Sequence, residues 1–221
     1  MRYSRGLEYR ISDEGQAVLC GIGICTDVHV SIPSEVDGYP VIGVAEKAFV
    51  RCEQIRSVSL PLSVTFIDNQ AFAWCRNLTD VRALNLFEIG DRAFIGCDRL
   101  SSISFGNKLE VIGEKAFSYC SSLSSVALPD SLVRLGSSAF EGCRKLCRIC
   151  LSDNLKFIEN GTFYACEGLC KVILPSSLEY VDEYAFAYCS SLVEMDVPSK
   201  TVINKDAFFE CESFPRNKKV S

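Results

Sequence analysis

The stretch EKAFSYCSSLSSVALPDSLVRLGSSAFEGC, residues 114–143, contains the phrase A-F-x-x-C twice within thirty residues. The phrase recurs along most of the chain, each time around one phenylalanine that we call an anchor. The anchors are spaced 23, 22, 23, 23, 23, 23 and 22 residues apart, and they are Phe49, Phe72, Phe94, Phe117, Phe140, Phe163, Phe186 and Phe208. A fixed period of this length predicts a solenoid, in which each repeat stacks on the next.

Counted from the anchor, position +3 is cysteine in all eight repeats. Positions +6, +9 and +11 are apolar in the first seven repeats, and +10 is mostly polar or small. Apolar residues two apart predict one half-buried strand per repeat, which we expect to pair in parallel with its neighbours at about 4.8 Å. Proline at +12 ends the strand in four repeats. A second apolar pair, such as Leu132 with Leu135, returns the chain along the opposite wall.

Residues 7–47 are predicted to close the N-terminal end of the stack, since an open end exposes apolar surface. The segment L-E-Y-R-I-S-D-E-G-Q-A-V-L-C indicates a hairpin around Glu14-Gly15, and V-H-V-S-I-P (28–33) fits a zeroth strand. We therefore predict an N-terminal cap with the zeroth strand over 1–47, a solenoid of about eight coils over 48–211 that is continuous with the cap, and a C-terminal tail over 212–221.

Composition narrows the classes of function. A hydrophobic content of 48% is enough for a continuous core, and a net charge of −5 does not favour nucleic-acid binding. No apolar stretch approaches eighteen residues, so we expect no membrane span, and no export signal is visible. We expect a monomer.

The repeat A-F-x-x-C-x-x-L-x-x-V-x-L-P-x-S-L-x-x-I-G, with I-P-S-E-V-D-G-Y-P-V-I-G at 32–43, resembles the BspA-like leucine-rich repeats over about residues 7–211. The resemblance implies a right-handed leucine-rich-repeat solenoid of α/β class, with a parallel sheet on the concave face and an irregular or short helical convex side. It departs from the pattern at Leu84 and Gly106, where proline is usual, and at Thr162, which replaces the alanine before the anchor.

The same resemblance implies bacterial or protozoan proteins that are often secreted or displayed at the cell surface, and that are associated with adhesion and protein binding. It brings no shared catalytic residues. The visible sequence lacks a signal peptide, and free thiols suit the cytoplasm, so the location stays open between these two expectations.

The thirteen cysteines fall into two sets. We predict that the eight at +3 are buried, reduced thiols, because stacking leaves their Cβ atoms too far apart for disulfides. The spacing C-x₃-C-x₂-C from Cys143 to Cys150 suggests a zinc site, but the ligands would not converge on one point. Cys147 and Cys170 both lie at +7, one coil apart, and a disulfide or redox-sensitive pair between them is the remaining alternative.

No catalytic motif is found, so we predict a protein that is not an enzyme and needs no cofactor or metal. The solenoid's exposed strand face is the candidate ligand surface, read from positions +8 and +10. Its candidate residues are His29, Asp80, Arg82, Arg148, Cys150, Lys171, Ile173, Glu194 and Asp196. A merely solvated strand face is the alternative.

A second candidate surface consists of aromatic residues just after the anchors, at +1 and +2, namely Trp74, Tyr119, Tyr164, Tyr188 and Phe209. Packing over the backbone of the next coil is the alternative. For the whole chain we predict a non-enzymatic module that binds an unidentified protein or glycan, with adhesion at a bacterial cell surface as its setting. The alternatives are a structural spacer or scaffold without a specific ligand face, and a cytoplasmic thiol-sensitive regulator.

Overall fold

In the computed structural model, which describes residues 3–213, the repeats wind into about eight superimposed coils. The anchor rings form one column through the core, with consecutive centroids 4.9 to 5.8 Å apart and ring planes within 12° of parallel. Seven anchors are fully buried, and Phe208 is partly buried. Like positions of successive repeats therefore lie over one another, as the period predicts.

Eighteen short strands are present in residues 3–213, and no helix. In chain order they are β1 (Glu8–Ile11), β2 (Ala17–Gly21), β3 (His29–Ser31), β4 (Glu35–Val36), β5 (Tyr39–Val44), β6 (Ser57–Ser59), β7 (Phe66–Ile67), β8 (Asp80–Arg82), β9 (Glu88–Ile89), β10 (Ser102–Ser104), β11 (Val111–Ile112), β12 (Arg134–Leu135), β13 (Arg148–Cys150), β14 (Phe157–Ile158), β15 (Lys171–Ile173), β16 (Tyr180–Val181), β17 (Glu194–Met195) and β18 (Val202–Ile203).

The predicted strand at +8 to +10 forms what we call the first ladder, made of β3, β6, β8, β10, β13, β15 and β17. The pairing is parallel and in register, so Val30, Val58 and Val81 lie side by side and point into the core. The zeroth strand is confirmed as β3, which pairs with β6.

One strand per repeat is wrong, because most coils carry a second strand of two residues. These strands form what we call the second ladder, made of β5, β7, β9, β11, β12, β14, β16 and β18. Each occupies the predicted return segment. Ile67, Ile89 and Ile112 lie in register and point into the core, while the residue before each faces outward. Two residues are too few to show an alternating pattern in the sequence.

Both ladders are interrupted once. In the first ladder, the coil between β10 and β13 has no strand. Its Ser125 forms only an isolated bridge with Arg148 of β13. Phe105 occupies +11 there, a position held by smaller residues elsewhere, and its ring meets Phe117 edge-on at 5.9 Å. We attribute the interruption to this bulk. The second ladder breaks between β12 and β14, where Thr162 replaces alanine and the two anchors are 5.8 Å apart, the widest spacing in the column.

Around each anchor the chain makes a tight corner rather than a helix. Residues two before and two after most anchors have positive φ, for example Gln70 at 56° and Trp74 at 62°. A residue in the left-handed region interrupts a right-handed helix. The N–H groups of Phe72 and Trp74 instead donate to the next coil, to Ala93 O at 2.8 Å and Ile95 O at 2.7 Å. The described residues contain no helix, so the α/β class is wrong for them. Of the two expected forms of the side that carries the corners, irregular or short helical, the structure has the irregular one.

The N-terminal segment contains the predicted hairpin. Strands β1 and β2 pair antiparallel around a turn at Gly15, whose φ is +73°, and β2 then pairs in parallel with β5. Leu7 and Tyr9 pack against the core. The capping role and the three domain boundaries stay predictions, and residues 214–221 of the predicted tail lie outside the described residues.

Candidate functional site

The outward side chains of the first ladder fall into two groups, because the ladder is interrupted after β10. His29, Asp80 and Arg82 belong to the first group, on β3 and β8. His29 Nδ1 lies 2.8 Å from Ser57 Oγ, and the neighbouring outward positions are serines. This half of the face is small and polar.

The other six candidate residues lie together on or beside β13, β15 and β17. Arg148, Lys171 and Glu194 form one cross-strand row, and Cys150 and Ile173 form the next. Lys171 Nζ contacts Glu194 Oε1, so a cation and an anion of the row neutralise each other. Ile173 is half exposed beside them.

A shallow groove of about 190 Å³ lies at this end of the ladder. It is lined by Lys171, Ile173, Glu194 and Asp196, together with the buried residues Val172 and Met195. It combines an apolar side chain with charges of both signs, a composition that suits a polar ligand with one apolar face. The structure thus gathers six of the nine predicted residues and leaves three apart.

The corner aromatics mainly pack over the next coil, which is the alternative offered above. A Cβ on Gly96 would lie 2.2 Å from the Trp74 ring, and one on Gly142 would lie 2.8 Å from the Tyr119 ring. Each ring therefore covers a glycine two residues after the following anchor. The rings still keep one exposed edge, and Tyr119 donates a hydrogen bond to Glu141 Oε1 at 2.8 Å that raises the pKa of Tyr119.

Sequence reasoning missed a second pocket at this corner. A cavity of about 330 Å³ is lined by Arg51, Glu53, Trp74 and Arg76, with the Arg76 guanidinium 6.0 Å from the Trp74 ring centroid. The available signal was the pair of positions +2 and +4 in the first two repeats, which hold Arg51 and Glu53 and then Trp74 and Arg76.

All thirteen cysteines are free, and the +3 column is buried except for the half-buried Cys52. Each column thiol after Cys52 donates to the carbonyl of the anchor in the preceding coil, as Cys97 Sγ does to Phe72 O at 3.1 Å and Cys143 Sγ to Phe117 O at 3.2 Å. Burial raises the pKa of Cys75 to about 12 and the pKa of Cys120 well above its ordinary value. These thiols act as small core residues that satisfy a second lone pair of a buried carbonyl.

Cys147 and Cys170 are arranged differently. Their Sγ atoms lie 3.2 Å apart at the surface, and Cys170 Sγ is also 3.3 Å from Cys147 O. No three His, Cys, Asp or Glu side chains within residues 3–213 are grouped as metal ligands. That part of the chain also contains no helix long and apolar enough to span a membrane.

Comparison with protein families identifies the chain as a repeat protein of a known type. The model for the BspA type leucine rich repeat region matches residues 42–128 and 87–215. The chain belongs to this family, whose members are generally non-enzymatic repeat proteins. No curated protein matches it.

Two solved structures agree with the fold. The T. pallidum leucine-rich repeat protein TpLRR is 32% identical, with a TM-score of 0.81 over 90% of this chain and 92% of that one. A leucine-rich repeat protein from Bacteroides ovatus is 27% identical, with a TM-score of 0.82 over 90% of this chain. The match covers only 54% of the Bacteroides protein, so this chain spans about half its length.

Proposed function

We propose that the protein is a non-enzymatic binding module that recognises a protein or glycan through the outward face of β13, β15 and β17. The observation that carries the proposal is the groove beside Ile173, where an exposed apolar side chain lies between charged residues on a backbone fixed by parallel pairing. Membership of a repeat family that serves as an interaction module supports it. Rigid repeat surfaces of this kind bind partners along an extended face.

The electrostatics of the face favour a mixed rather than a highly charged ligand. Lys171 is already paired with Glu194, whereas the side chain of Arg148 in the same row has no ion-pair partner within residues 3–213. A ligand with a carboxylate or other acceptor near an apolar group fits this arrangement, because it meets Arg148 and Ile173 together.

The test is capture of ligands from a protein mixture and on a glycan array by the wild-type chain and by the variant R148A/K171A/I173A. The matched control is V133A/R134A/K156A, which also removes one β-branched aliphatic residue, one arginine and one lysine, from exposed positions beside or on the second ladder. We expect the first variant to lose capture and the control to retain it. Equal capture by both variants would refute a site on this face.

A structural spacer is the second candidate, and one observation favours it. Salt bridges between adjacent coils recur along the surface, such as Arg92–Glu114 at 2.8 Å and Lys156–Glu179 at 3.0 Å, and they use charges that a ligand would otherwise meet. A spacer predicts that no face of the wild-type chain captures a ligand. Light scattering then shows whether the chain associates with itself or stays monomeric.

The cellular setting that we propose for the binding module is adhesion at a bacterial cell surface. The bacterial origin of the similar solved structures supports a bacterial source for this protein. Protease treatment of intact source cells tests display at the cell surface. We expect the protein to be cleaved, and complete protection while the cells stay intact would contradict surface display.

A further inference from the structure

Cys147 and Cys170 differ from the other thiols of the molecule in exposure and direction. The thiols of the +3 column donate hydrogen bonds to carbonyl groups inside the core, as Cys166 Sγ does to Phe140 O at 3.1 Å. Cys147 is exposed and Cys170 half-buried, and their Sγ atoms face each other at 3.2 Å. We propose that these two residues form an oxidisable dithiol site, which a hydroperoxide converts into a disulfide between adjacent coils.

The backbone already holds the pair in place. Cys170 N–H donates to Cys147 O at 2.9 Å, and the strands that begin one residue later pair in register through Arg148 and Lys171. A disulfide has an S–S length of about 2.05 Å, so the sulfur atoms must approach by about 1.1 Å. The pair lies at the surface, unlike the thiols packed in the core column, so side-chain rotation together with a small movement of the two coils can supply this shift.

The surroundings suit thiol chemistry. The hydrogen bond with Cys170 raises the pKa of Cys147, while the positive charge of Arg148 acts in the opposite direction. When one thiol loses its proton, the S–H of the other can donate to the resulting thiolate. The positive charge of Arg148 beside Cys147 favours the thiolate that reacts with a peroxide.

The reaction balances with the hydroperoxide as the only oxidant. One thiolate attacks a peroxide oxygen, which breaks the O–O bond and gives a sulfenic acid together with water or an alcohol. The second thiolate then attacks the sulfur of the sulfenic acid, forms the S–S bond and releases the hydroxyl group as water. Two electrons pass from the two sulfurs to the peroxide, and a dithiol reductant reverses the change.

The consequence is a covalent link at the start of β13 and β15. The bridge would close a segment of one repeat and prevent these two coils from separating at the surface. It lies directly beside the row of Arg148 and Lys171, so oxidation would also fix the backbone of the proposed ligand face. The dithiol site does not depend on that face having a ligand.

The test treats the native full chain with stoichiometric hydrogen peroxide and maps the products by mass spectrometry after alkylation of free thiols. We expect loss of two hydrogens, one Cys147–Cys170 crosslinked peptide, and recovery of both thiols with dithiothreitol. The variants C147S and C170S should instead accumulate a sulfenic acid that dimedone traps, and C150S should form the disulfide like the wild type.

A second measurement does not require oxidation. Phenylarsine oxide bridges two neighbouring thiols, and we expect one equivalent to bind to the wild type and none to C147S or C170S, with unchanged circular dichroism in each variant. The proposal is overturned if peroxide links other pairs, such as Cys147 with Cys150 or Cys189 with Cys211. It is equally overturned if Cys147 and Cys170 oxidise separately in the wild type, or if neither reacts.

Discussion

The anchor column allows a quantitative test of how energy is distributed along the stack. Phe117 is fully buried, stacked on Phe94 at 5.2 Å and on Phe140 at 5.3 Å, and contacted edge-on by Phe105. Removing a buried phenylalanine ring costs about 3–5 kcal/mol, and each lost aromatic contact adds about 0.5–1.5 kcal/mol to simple burial. We therefore expect F117A to lose about 4–5 kcal/mol of unfolding free energy, at the upper end of the range for such changes.

Two variants separate volume from position. F117L keeps most of the apolar volume and loses the ring contacts, so we expect a loss of about 1–2 kcal/mol. F208A removes an anchor that is only partly buried, where it stacks on Phe186 at 5.4 Å, and it should also cost about 1–2 kcal/mol because less apolar surface is lost from the core.

Urea unfolding gives the total loss, and hydrogen exchange followed by mass spectrometry shows where it falls. Because each coil contacts mainly its neighbours, faster exchange in F117A should concentrate between residues 94 and 163 and leave the amides of β3 and β6 nearly unchanged. An equal loss for F208A and F117A, or faster exchange spread evenly over the chain, would refute the column as the source of local stability.

Three further predictions test other features. Burial raises the pKa of the Cys120 thiol well above its ordinary value of 9.0, so its contribution to stability is complete well below pH 9 and is lost progressively as the pH rises above it. We expect this thiol to cost about 1 kcal/mol of unfolding free energy between pH 9 and pH 10. In urea titrations C120A should reduce this pH dependence, while L123A, an equally buried truncation, should not. G96A should displace the ring of Trp74, the single tryptophan, and shift its fluorescence to the red, with about 1–2 kcal/mol lost because Gly96 has a φ of +68°; an unchanged spectrum would contradict the packing described. F105L should restore first-ladder pairing with the next coil, seen as slower amide exchange there, and unchanged exchange would mean that the bulk of Phe105 does not cause the interruption.

Sequence reasoning succeeded where a feature repeats with the period. The anchor column, the buried position +9 and the parallel first ladder follow from residue type and spacing alone, because stacking converts each repeated position into a contact between neighbours. The thiol column was predicted to be buried and unlinked for the same reason. Its hydrogen bonds to anchor carbonyls were not predictable, since they depend on which way the corner turns.

Other features depend on backbone geometry that residue types do not reveal. The left-handed positions at the corners are occupied by residues as different as Lys47, Arg51 and Tyr188, so only the occasional glycine marks them. Residue types alone therefore do not distinguish a short helix after each anchor from the irregular corner that the structure has. The interruptions of both ladders also depend on single residues, Phe105 and Thr162, whose effect appears only when neighbouring coils are in place.

The candidate ligand face shows the same division. Register alone identified which side chains point outward from the strands, and six of the nine lie in one group. The sequence did not indicate that Lys171 and Glu194 would contact each other, or that the ladder would separate the remaining three residues from them. Long side chains at the surface choose partners by reach, which the period does not encode.

The corner hydrogen bonds give the stack a direction. The N–H groups of the anchors Phe72, Phe94 and Phe117 all donate toward the C-terminal end, so each of these coils presents donors to the following coil and acceptors to the preceding one. An additional coil, or another molecule of the same kind, can extend the row only head to tail, because a head-to-head junction would place donor against donor or acceptor against acceptor. An assembly that continued this row of hydrogen bonds would therefore be polar, a ring or a filament, rather than a symmetric pair.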